Sequence, residues 1–383
     1  MRRRWPRFLQ LASTSCILLC FLSQAGAQAP APWPPEARQY RFHMIGNGHI
    51  DPVWLWPWQE GMSVVHSTFR SALERMKETP DFAFTASSAQ FYEWVSEIDP
   101  KMLAEIRQRV EEGRWAVAGG WWVEPDVNIP SGEALARHGL YSQQVFRKLF
   151  GRTVRIGFNP DSFGHPGTLP QILKLQGIDA YVFMRPQSHE KKLPADLFWW
   201  EGPDGTRLLT YRIPFSYNDV GPVDGRLRRM ISELREPTTT LMAFYGVGDH
   251  GGGPARLSIQ SIRDLQKQPG APAILFSTPQ RYFDEVRKIS GLNLPAVRDD
   301  LQHHAVGYYT AMSEIKKNNR MAEMLLVTGE KLAALAAIVA GLDYPQAEIT
   351  AAWKKLLFQQ FHDIIGLDDY YKLDEKYRTP DGG

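Results

Sequence analysis

Short apolar runs alternate with longer amphipathic stretches over residues 40–300 of this chain. The runs are rich in β-branched and aromatic residues and predict strands, whereas the stretches between them have apolar residues at helical spacing. This βαβα order favours an α/β fold with a parallel sheet or a barrel. The predicted strands are 40–45, 82–86, 115–118, 154–158, 180–184, 208–213, 241–247 and 273–276.

Two of the predicted helices have recognisable ends. Ser67 is placed to cap a helix that must stop before Pro80, because proline cannot continue a helix. Ser131 starts a long helix, and Gly151 is placed to terminate it.

Polar residues follow several of the predicted strands. In a parallel α/β fold the carboxyl ends of the strands meet at one edge, so a single cleft can collect these side chains. Because loops are polar in general, position alone gives this interpretation only modest support. The residues are Asp51, Asp161, Arg185, Tyr217 and Asp249.

The pattern changes from residue 313 onward. Apolar residues at helical spacing predict a helix over 313–340, and Pro345 opens a second helix without an intervening strand. We expect a helical domain over 301–366 that forms a hairpin or part of a bundle. Residues 367–383 have no convincing period and are expected to form an irregular tail.

The amino-terminal end has the order of a secretory signal. Three arginines precede an apolar run, and small residues follow in an A-x-A pattern, which predicts a signal peptide over 1–29. A membrane anchor is the alternative, but polar residues at 13–15 interrupt the apolar run. A linker is expected over 30–38, and the mature chain is expected to be periplasmic or secreted.

Composition narrows the possible partners. Forty-four Lys and Arg residues balance 42 Asp and Glu residues, so no strong field favours nucleic acid or an anionic membrane. The two cysteines, Cys16 and Cys20, lie in the predicted signal, so a metal site in the mature chain must use nitrogen and oxygen ligands. Twelve tryptophans are numerous and suit stacking on sugar rings.

Three separated motifs provide such ligands. His49 and Asp51 are two residues apart, so on an extended segment they point the same way, and three tryptophans follow at 54, 56 and 58. Asp161 lies in a turn, and His362 with Asp363 lies at the end of the last predicted helix. Each motif alone has an ordinary structural interpretation. Together they offer two imidazoles and several carboxylates for one cation.

Residues 246–251 match the G-x-G-x-x-G pattern of a dinucleotide site but lack its context. The following strand ends in Ser277-Thr278-Pro279, where an acidic residue would be needed to bind the ribose. Asp249 would also repel a pyrophosphate. We interpret the triple glycine at 251–253 as allowing the backbone to approach a substrate closely, with Asp249 beside it as a reactive acid.

Several longer stretches together resemble one enzyme family. GHIDPVWLWPW, GGWWVEPDVNIPSGEAL, GFNPDSFGHPGTLPQIL, FYGVGDHGGGP and QQFHD occur in this order between about residues 42 and 362. They closely resemble the family 38 glycoside hydrolases, the retaining α-mannosidases. The resemblance implies a parallel (β/α) barrel of about seven strands over 39–300, followed by an incomplete three-helix bundle. The β-sandwich domains that follow in this family are expected to be absent.

The resemblance also implies one Zn²⁺ per chain, bound by His49, Asp51, Asp161 and His362. Asp161 resembles the residue that is both a zinc ligand and the nucleophile. Asp249 is the predicted acid/base, with Asp300 in reserve. The implied substrate contacts are Trp54, Arg185, Tyr217, His250 and Asp363.

We therefore expect a zinc-dependent retaining α-mannosidase that acts on glycans or oligosaccharides through a mannosyl-aspartate intermediate. No nucleic-acid partner and no stable membrane insertion are expected, and the oligomeric state stays open. Three alternatives also stay open. They are a hydrolase of another α-mannoside such as a mannosylated small solute, an inactive sugar-binding remnant, and a zinc-dependent polysaccharide deacetylase.

Overall fold

A computed structural model describes residues 32–366 of the chain. The predicted signal peptide at 1–29, residues 30 and 31 of the predicted linker, and the predicted tail at 367–383 lie outside the described residues. Among the residues that are described, no helix combines the length and the apolar character needed to cross a bilayer.

Every predicted strand overlaps a strand of the structure, and two further strands were not predicted. The strands of the described residues are β1 (Arg41–Asn47), β2 (Phe84–Ala86), β3 (Trp115–Val117), β4 (Ile156–Asn159), β5 (Ala180–Phe183), β6 (Leu197–Glu201), β7 (Arg207–Arg212), β8 (Thr240–Tyr245), β9 (Ala273–Phe276) and β10 (Ala296–Val297).

Helices separate most of the strands, and two 3-10 turns lie at Pro35–Gln39 and Val306–Tyr309. The helices of the described residues are α1 (Trp58–Glu78), α2 (Ala89–Ile98), α3 (Pro100–Glu111), α4 (Gly132–Phe150), α5 (Leu169–Leu175), α6 (Asp224–Glu233), α7 (Arg256–Leu265), α8 (Pro279–Val286), α9 (Ser313–Ala340), α10 (Gln346–Gln359) and α11 (His362–Gly366).

The strands within residues 32–366 form two five-stranded sheets, so the predicted closed barrel is not confirmed. The first sheet has the order β3-β2-β1-β8 with β9 also paired to β1, and the second has the order β10-β6-β7-β5-β4. Outside the strand ladders, Gly119 N donates to Ile156 O at 2.9 Å where β3 meets β4. Between β7 and β8 the Tyr211 hydroxyl donates to Met242 O at 3.0 Å. Between β7 and β8, the side chain of Tyr211 therefore makes the hydrogen bond that backbone pairing would make in a closed barrel.

The second sheet is not wholly parallel, which differs from the prediction. β6 pairs antiparallel with β7 through the short loop 202–206. The Pro-Asp-Gly turn in this loop, placed between two apolar runs, is the signal that predicts a hairpin, and it was not used.

The ends of α4 were predicted correctly, whereas the start of α1 was wrong. The Ser131 hydroxyl accepts a hydrogen bond from Ala134 N at 3.2 Å, and Gly151 adopts a φ of 67°, which favours glycine. Ser67 instead lies inside α1, which follows Pro57. The buried stripe of this helix begins before Ser67, so its packing sets the earlier start.

The predicted linker at 30–38 packs onto the α/β region from Trp33 onward. The Trp33 indole is buried, and its Nε1 donates to Gln268 Oε1 at 2.9 Å. The buried side chain of Ala37 lies in the same core cluster. The apolar surface of these residues explains why this short segment does not behave as a free linker.

The helical segment is attached to the loop after β3. Gln360 Nε2 donates to Asn319 Oδ1 at 2.8 Å, and Gln360 O accepts from Asp126 N at 3.0 Å. Phe361 forms an isolated antiparallel bridge with Pro125. These buried contacts fix the start of α11, and with it His362, against the carboxyl ends of the strands.

Histidines in the core make stability depend on pH. Burial lowers the pKa of His138 to about 3, and its Nε2 lies 3.1 Å from Gln360 Oε1. The pKa of His138 in the folded chain lies below its value of about 6.5 in the unfolded chain. As the pH falls below 6.5, the unfolded chain binds a proton at this site and the folded chain does not, so the free energy of unfolding decreases. Protonation of the unfolded chain at this one site should remove roughly 2 kcal/mol of unfolding free energy by pH 5.

We expect His138→Gln to show a correspondingly smaller loss of unfolding free energy between pH 7.5 and pH 5, measured by urea denaturation. Equal losses in the variant and the parent chain would contradict this assignment.

Candidate active site

His49 and Asp51 follow β1 in an extended turn. Asp51 N donates to Asp249 O at 2.9 Å, and Ile50 forms a bridge with His250, so the loop after β8 supports this turn. Both side chains are almost fully buried. His49 Nε2 lies 2.8 Å from Asp51 Oδ1, as their spacing predicted.

Asp161 and His362 approach the same point from distant parts of the chain. Asp161 follows β4, and its Oδ2 lies 3.9 Å from His49 Nε2 and 3.8 Å from His362 Nε2. His362 Nε2 is also 3.7 Å from Asp51 Oδ1, and the two imidazole rings stack with centroids 5.4 Å apart. The structure thus brings together all four residues that were predicted as metal ligands.

The donor atoms at this point fit a cation. His49 Nε2, Asp51 Oδ1 and His362 Nε2 are buried, and none makes a hydrogen bond of acceptable geometry with any described residue. All three lie within 4.8 Å of one another. Lone pairs that face each other in a buried site repel unless a positive charge lies between them, and imidazole with carboxylate suits Zn²⁺.

Glu124, which follows β3, fixes both histidines and was missed by the sequence analysis. Its carboxylate Oε2 lies 2.7 Å from His49 Nδ1, and its backbone oxygen accepts from His362 Nδ1 at 2.8 Å. Nε2 of both rings is thereby turned toward the cluster, and with a cation bound there each ring would carry its proton on Nδ1. The Ser87 hydroxyl donates to the other oxygen of Glu124. The only available signal was an acid after a predicted strand.

The cluster favours positive charge. Burial lowers the pKa of His362 to about 4, so its imidazole is neutral at pH 7. Burial opposes the charged form of His49, yet Glu124 and Asp51 raise its pKa well above the usual value. Burial raises the pKa of Asp51 to about 6, although His49 opposes this shift. A bound cation would stabilise the same carboxylates.

Asp161 is kept ionised. Burial alone would raise its pKa, but the nearby His49, Arg185 and His362 lower it below the usual value. Arg185 follows β5, and its Nε donates to Asp161 Oδ1 at 2.5 Å. The side chain thus has the charge state of a nucleophile or of a metal ligand.

Asp249 lies next to the cluster in a glycine-rich loop after β8. Its Oδ1 accepts from the Tyr217 hydroxyl at 2.7 Å and from Asn218 Nδ2 at 3.5 Å. One oxygen of Asp249, one of Asp161 and one nitrogen of His49 lie within 4.8 Å of one another. The hydroxyl of Tyr217 thus orients the carboxylate of Asp249, the predicted acid/base.

Two glycines of this loop pack closely against other parts of the protein. A Cβ at Gly246 would lie 2.0 Å from Asn47 O, so this position must lack a side chain for β8 to turn beside β1. A Cβ at Gly251 would lie 2.5 Å from Thr68 Oγ1 of α1. The close approaches are to the protein itself.

Two other predicted residues, Asp363 and Trp54, lie close to the cluster of candidate metal ligands. Asp363 is buried directly after His362, and burial together with the charges of Asp51 and Asp161 raises the pKa of its carboxyl well above the usual value. The half-buried Trp54 packs edge-on against Trp56, with ring centroids 5.8 Å apart. Trp56 Nε1 in turn donates to Asp51 O at 2.9 Å, so this aromatic pair borders the cluster.

His250 and Asp300 point elsewhere. His250 is 53% exposed in its side chain, and its Nε2 lies 2.8 Å from Glu60 Oε1. Its ring packs edge-on against that of Trp56, with centroids 4.4 Å apart, so His250 lies at the rim of the cluster. Asp300 is exposed, and its carboxylate lies 3.5 Å from Lys191 Nζ.

Comparison with known proteins identifies the family of this chain. The model of the glycosyl hydrolases family 38 N-terminal domain matches residues 39–330, and that of the alpha mannosidase middle domain matches residues 303–377. The chain belongs to glycoside hydrolase family 38, as the sequence motifs predicted.

Similar proteins include enzymes from animals and fungi. Alpha-mannosidase 2C1 of Mus musculus is 34% identical over 331 residues, which cover 85% of this chain and 32% of that protein. An alpha-mannosidase of Saccharomyces cerevisiae is 31% identical over 337 residues, covering 84% and 31% of the two chains. This chain therefore spans about a third of the length of these relatives.

A solved structure supports the fold. The crystal structure of an alpha-mannosidase from Enterococcus faecalis V583 superposes with a TM-score of 0.76 at 22% identity. The match covers 88% of this chain and 40% of that chain.

We predict that Glu124→Gln weakens zinc binding roughly 10- to 100-fold, because the imidazole of His49 loses its charged partner. Competition with a chromophoric chelator measures the affinity. Glu133→Gln is the matched control, since Glu133 is exposed and pairs with Arg137 at 2.8 Å on the surface of α4. Unchanged zinc affinity in a folded Glu124→Gln variant would contradict the proposed role of Glu124.

Proposed function

We propose that this chain is a zinc-dependent retaining α-mannosidase that removes terminal α-linked mannose from glycans or oligosaccharides. The observation that carries the proposal is the convergence of His49, Asp51, Asp161 and His362 on one buried point. Membership of family 38 supports the reaction class. We also propose export of the chain, on the signal-like pattern of residues 1–29.

The spacing of two carboxylates supports retention of configuration. Oxygens of Asp161 and Asp249 lie within 4.8 Å of each other. Retaining glycosidases have carboxyl groups about 5–5.5 Å apart, whereas inverting enzymes need about 6.5–9.5 Å to admit a water molecule. The pair therefore suits a double displacement.

In the first displacement, an oxygen of Asp161 bonds to the anomeric carbon of mannose. The bond to the glycosidic oxygen breaks, and Asp249 gives its proton to that oxygen. In the second, water attacks the same carbon while Asp249 takes a proton from it, and the ester bond to Asp161 breaks. Each carboxyl group returns to its starting state.

Other side chains would hold the sugar. A divalent ion bound by the four ligands would supply a positive centre for the cis-2,3-hydroxyls of mannose. Trp54 offers an aromatic face for the ring, and Asp363 offers a carboxyl group for a sugar hydroxyl. Arg185 holds Asp161 through the hydrogen bond to Oδ1, so the nucleophile keeps one orientation.

The function is tested by hydrolysis of an aryl α-mannoside and by trapping the intermediate. We expect zinc-dependent hydrolysis that chelation abolishes, because the ligand cluster loses its cation. A fluorinated mannosyl substrate should leave one covalent sugar on Asp161, located by mass spectrometry of peptides. Asp161→Asn should not be labelled, whereas Asp204→Asn, an exposed control, should be. Activity that survives complete metal removal, or a label on another residue, would contradict the mechanism.

The acid/base assignment is tested by comparing Asp249→Asn with Asp300→Asn. We expect Asp249→Asn to lower kcat roughly 10²- to 10⁴-fold for substrates with poor leaving groups. For a dinitrophenyl mannoside, the same variant should lose less of the rate of the first displacement, because this leaving group needs no proton. Asp300→Asn should have no measurable effect. The reverse outcome for the two variants would transfer the role to Asp300.

A further inference from the structure

Arg185 is held on two sides, and only one of them is the nucleophile. Its Nε donates to Asp161 Oδ1 at 2.5 Å, and its Nη1 lies 2.8 Å from His304 Nε2. The other ring nitrogen of His304, Nδ1, lies 2.5 Å from Glu190 Oε1. Glu190 Oε2 accepts from Gln187 N at 2.8 Å. Four side chains thus form one continuous series from Glu190 to Asp161.

The direction of each hydrogen bond in this series is determined by chemistry. A guanidinium group only donates and stays charged, so His304 Nε2 must accept from Arg185 with its lone pair. The proton of the neutral imidazole is therefore on Nδ1, where it donates to Glu190. An imidazolium would place a second N–H and a second positive charge against Arg185. The carboxylate of Glu190 thus selects the tautomer that can hold Arg185.

The segment that carries His304 is itself fixed in the site. The ring of Phe163 packs against those of His304, Tyr308 and His362, with centroids 5.4, 4.6 and 5.8 Å apart. The Tyr308 hydroxyl donates to His362 O at 2.5 Å. The position of His304 is therefore tied to the same packing that holds the metal ligand His362.

We propose that His304 and Glu190 are positioning residues that set the guanidinium of Arg185 against the nucleophile Asp161. This inference rests on the proposed function. As Asp161 forms the ester it loses its negative charge, and its attraction to Arg185 weakens. His304 keeps Arg185 in place while Asp161 is esterified. When the ester is cleaved, the carboxylate of Asp161 can accept from the same guanidinium group. Small displacements of reacting groups can cost about 100-fold in rate.

The test compares two substitutions at one position. In His304→Gln the amide oxygen can replace Nε2 as the acceptor for Arg185, whereas His304→Leu removes the acceptor. We expect His304→Leu to lower kcat roughly 10- to 100-fold, with KM and zinc affinity unchanged. His304→Gln should restore most of the lost kcat. His303→Leu is the matched control, because His303 is an exposed neighbour, and it should behave as the parent chain.

A purely structural role predicts a different result. It would lower the melting temperature, raise KM or release zinc, and Gln would not rescue it. Unchanged kcat in His304→Leu, or equal losses in the Leu and Gln variants, would overturn the inference. If His304→Leu does not fold, the Glu190→Ala variant is tested in its place. Without the Glu190 carboxylate, His304 is no longer restricted to the tautomer that accepts from Arg185. That variant should also lose kcat without a change in KM, and unchanged kcat would overturn the inference.

The two proposals fail in distinguishable ways. An active parent chain whose His304 and Glu190 variants keep full kcat contradicts the positioning role alone. A folded, zinc-loaded parent chain that hydrolyses no α-mannoside contradicts the proposed function and with it any role of His304 in that reaction.

Discussion

The structure depends on two buried imidazoles and two buried carboxylates directed at one point. Glu124 contacts Nδ1 of His49 and accepts from Nδ1 of His362, so Nε2 of each ring faces Asp51 and Asp161. The buried carboxylates need a positive charge beside them, and without a metal ion a second proton on His49 provides it, because Glu124 and Asp51 raise the pKa of His49. A divalent cation bound at this point would take the place of that proton, and its binding free energy would contribute to folding.

This constraint explains why the helical segment and the α/β region belong to one folding unit. Three of the candidate ligands follow strands of the two sheets, but the fourth, His362, lies at the start of α11. The bridge between Pro125 and Phe361 and the buried amide of Gln360 hold α11 against the loop after β3. The segment around His304 and Tyr308 supports the opposite side. The helices therefore complete the site rather than merely flank it.

Sequence could predict the parts of this site that depend on local chemistry. Eight of the ten strands within residues 32–366 and the ends of α4 follow from short local patterns. The set of four candidate ligands came from the resemblance of several longer motifs to family 38. Glu124 and His304 were missed because their importance lies in contacts with residues far away in the sequence. Local patterns also could not show whether the sheet closes into a barrel. The hydrogen bond from the Tyr211 hydroxyl to Met242 O between β7 and β8 depends on the tertiary structure. The start of α1 was misplaced because tertiary packing overrode a weak capping signal at Ser67.

The most direct test of the four-residue metal site is X-ray absorption spectroscopy at the zinc edge of the zinc-loaded chain. We expect one zinc per chain with nitrogen and oxygen neighbours at about 2.0–2.2 Å and no sulfur. We also expect the multiple scattering of two imidazoles, reduced to one in His362→Ala. A spectrum with one imidazole in the parent chain, or no change on replacing His362, would contradict the four-residue site.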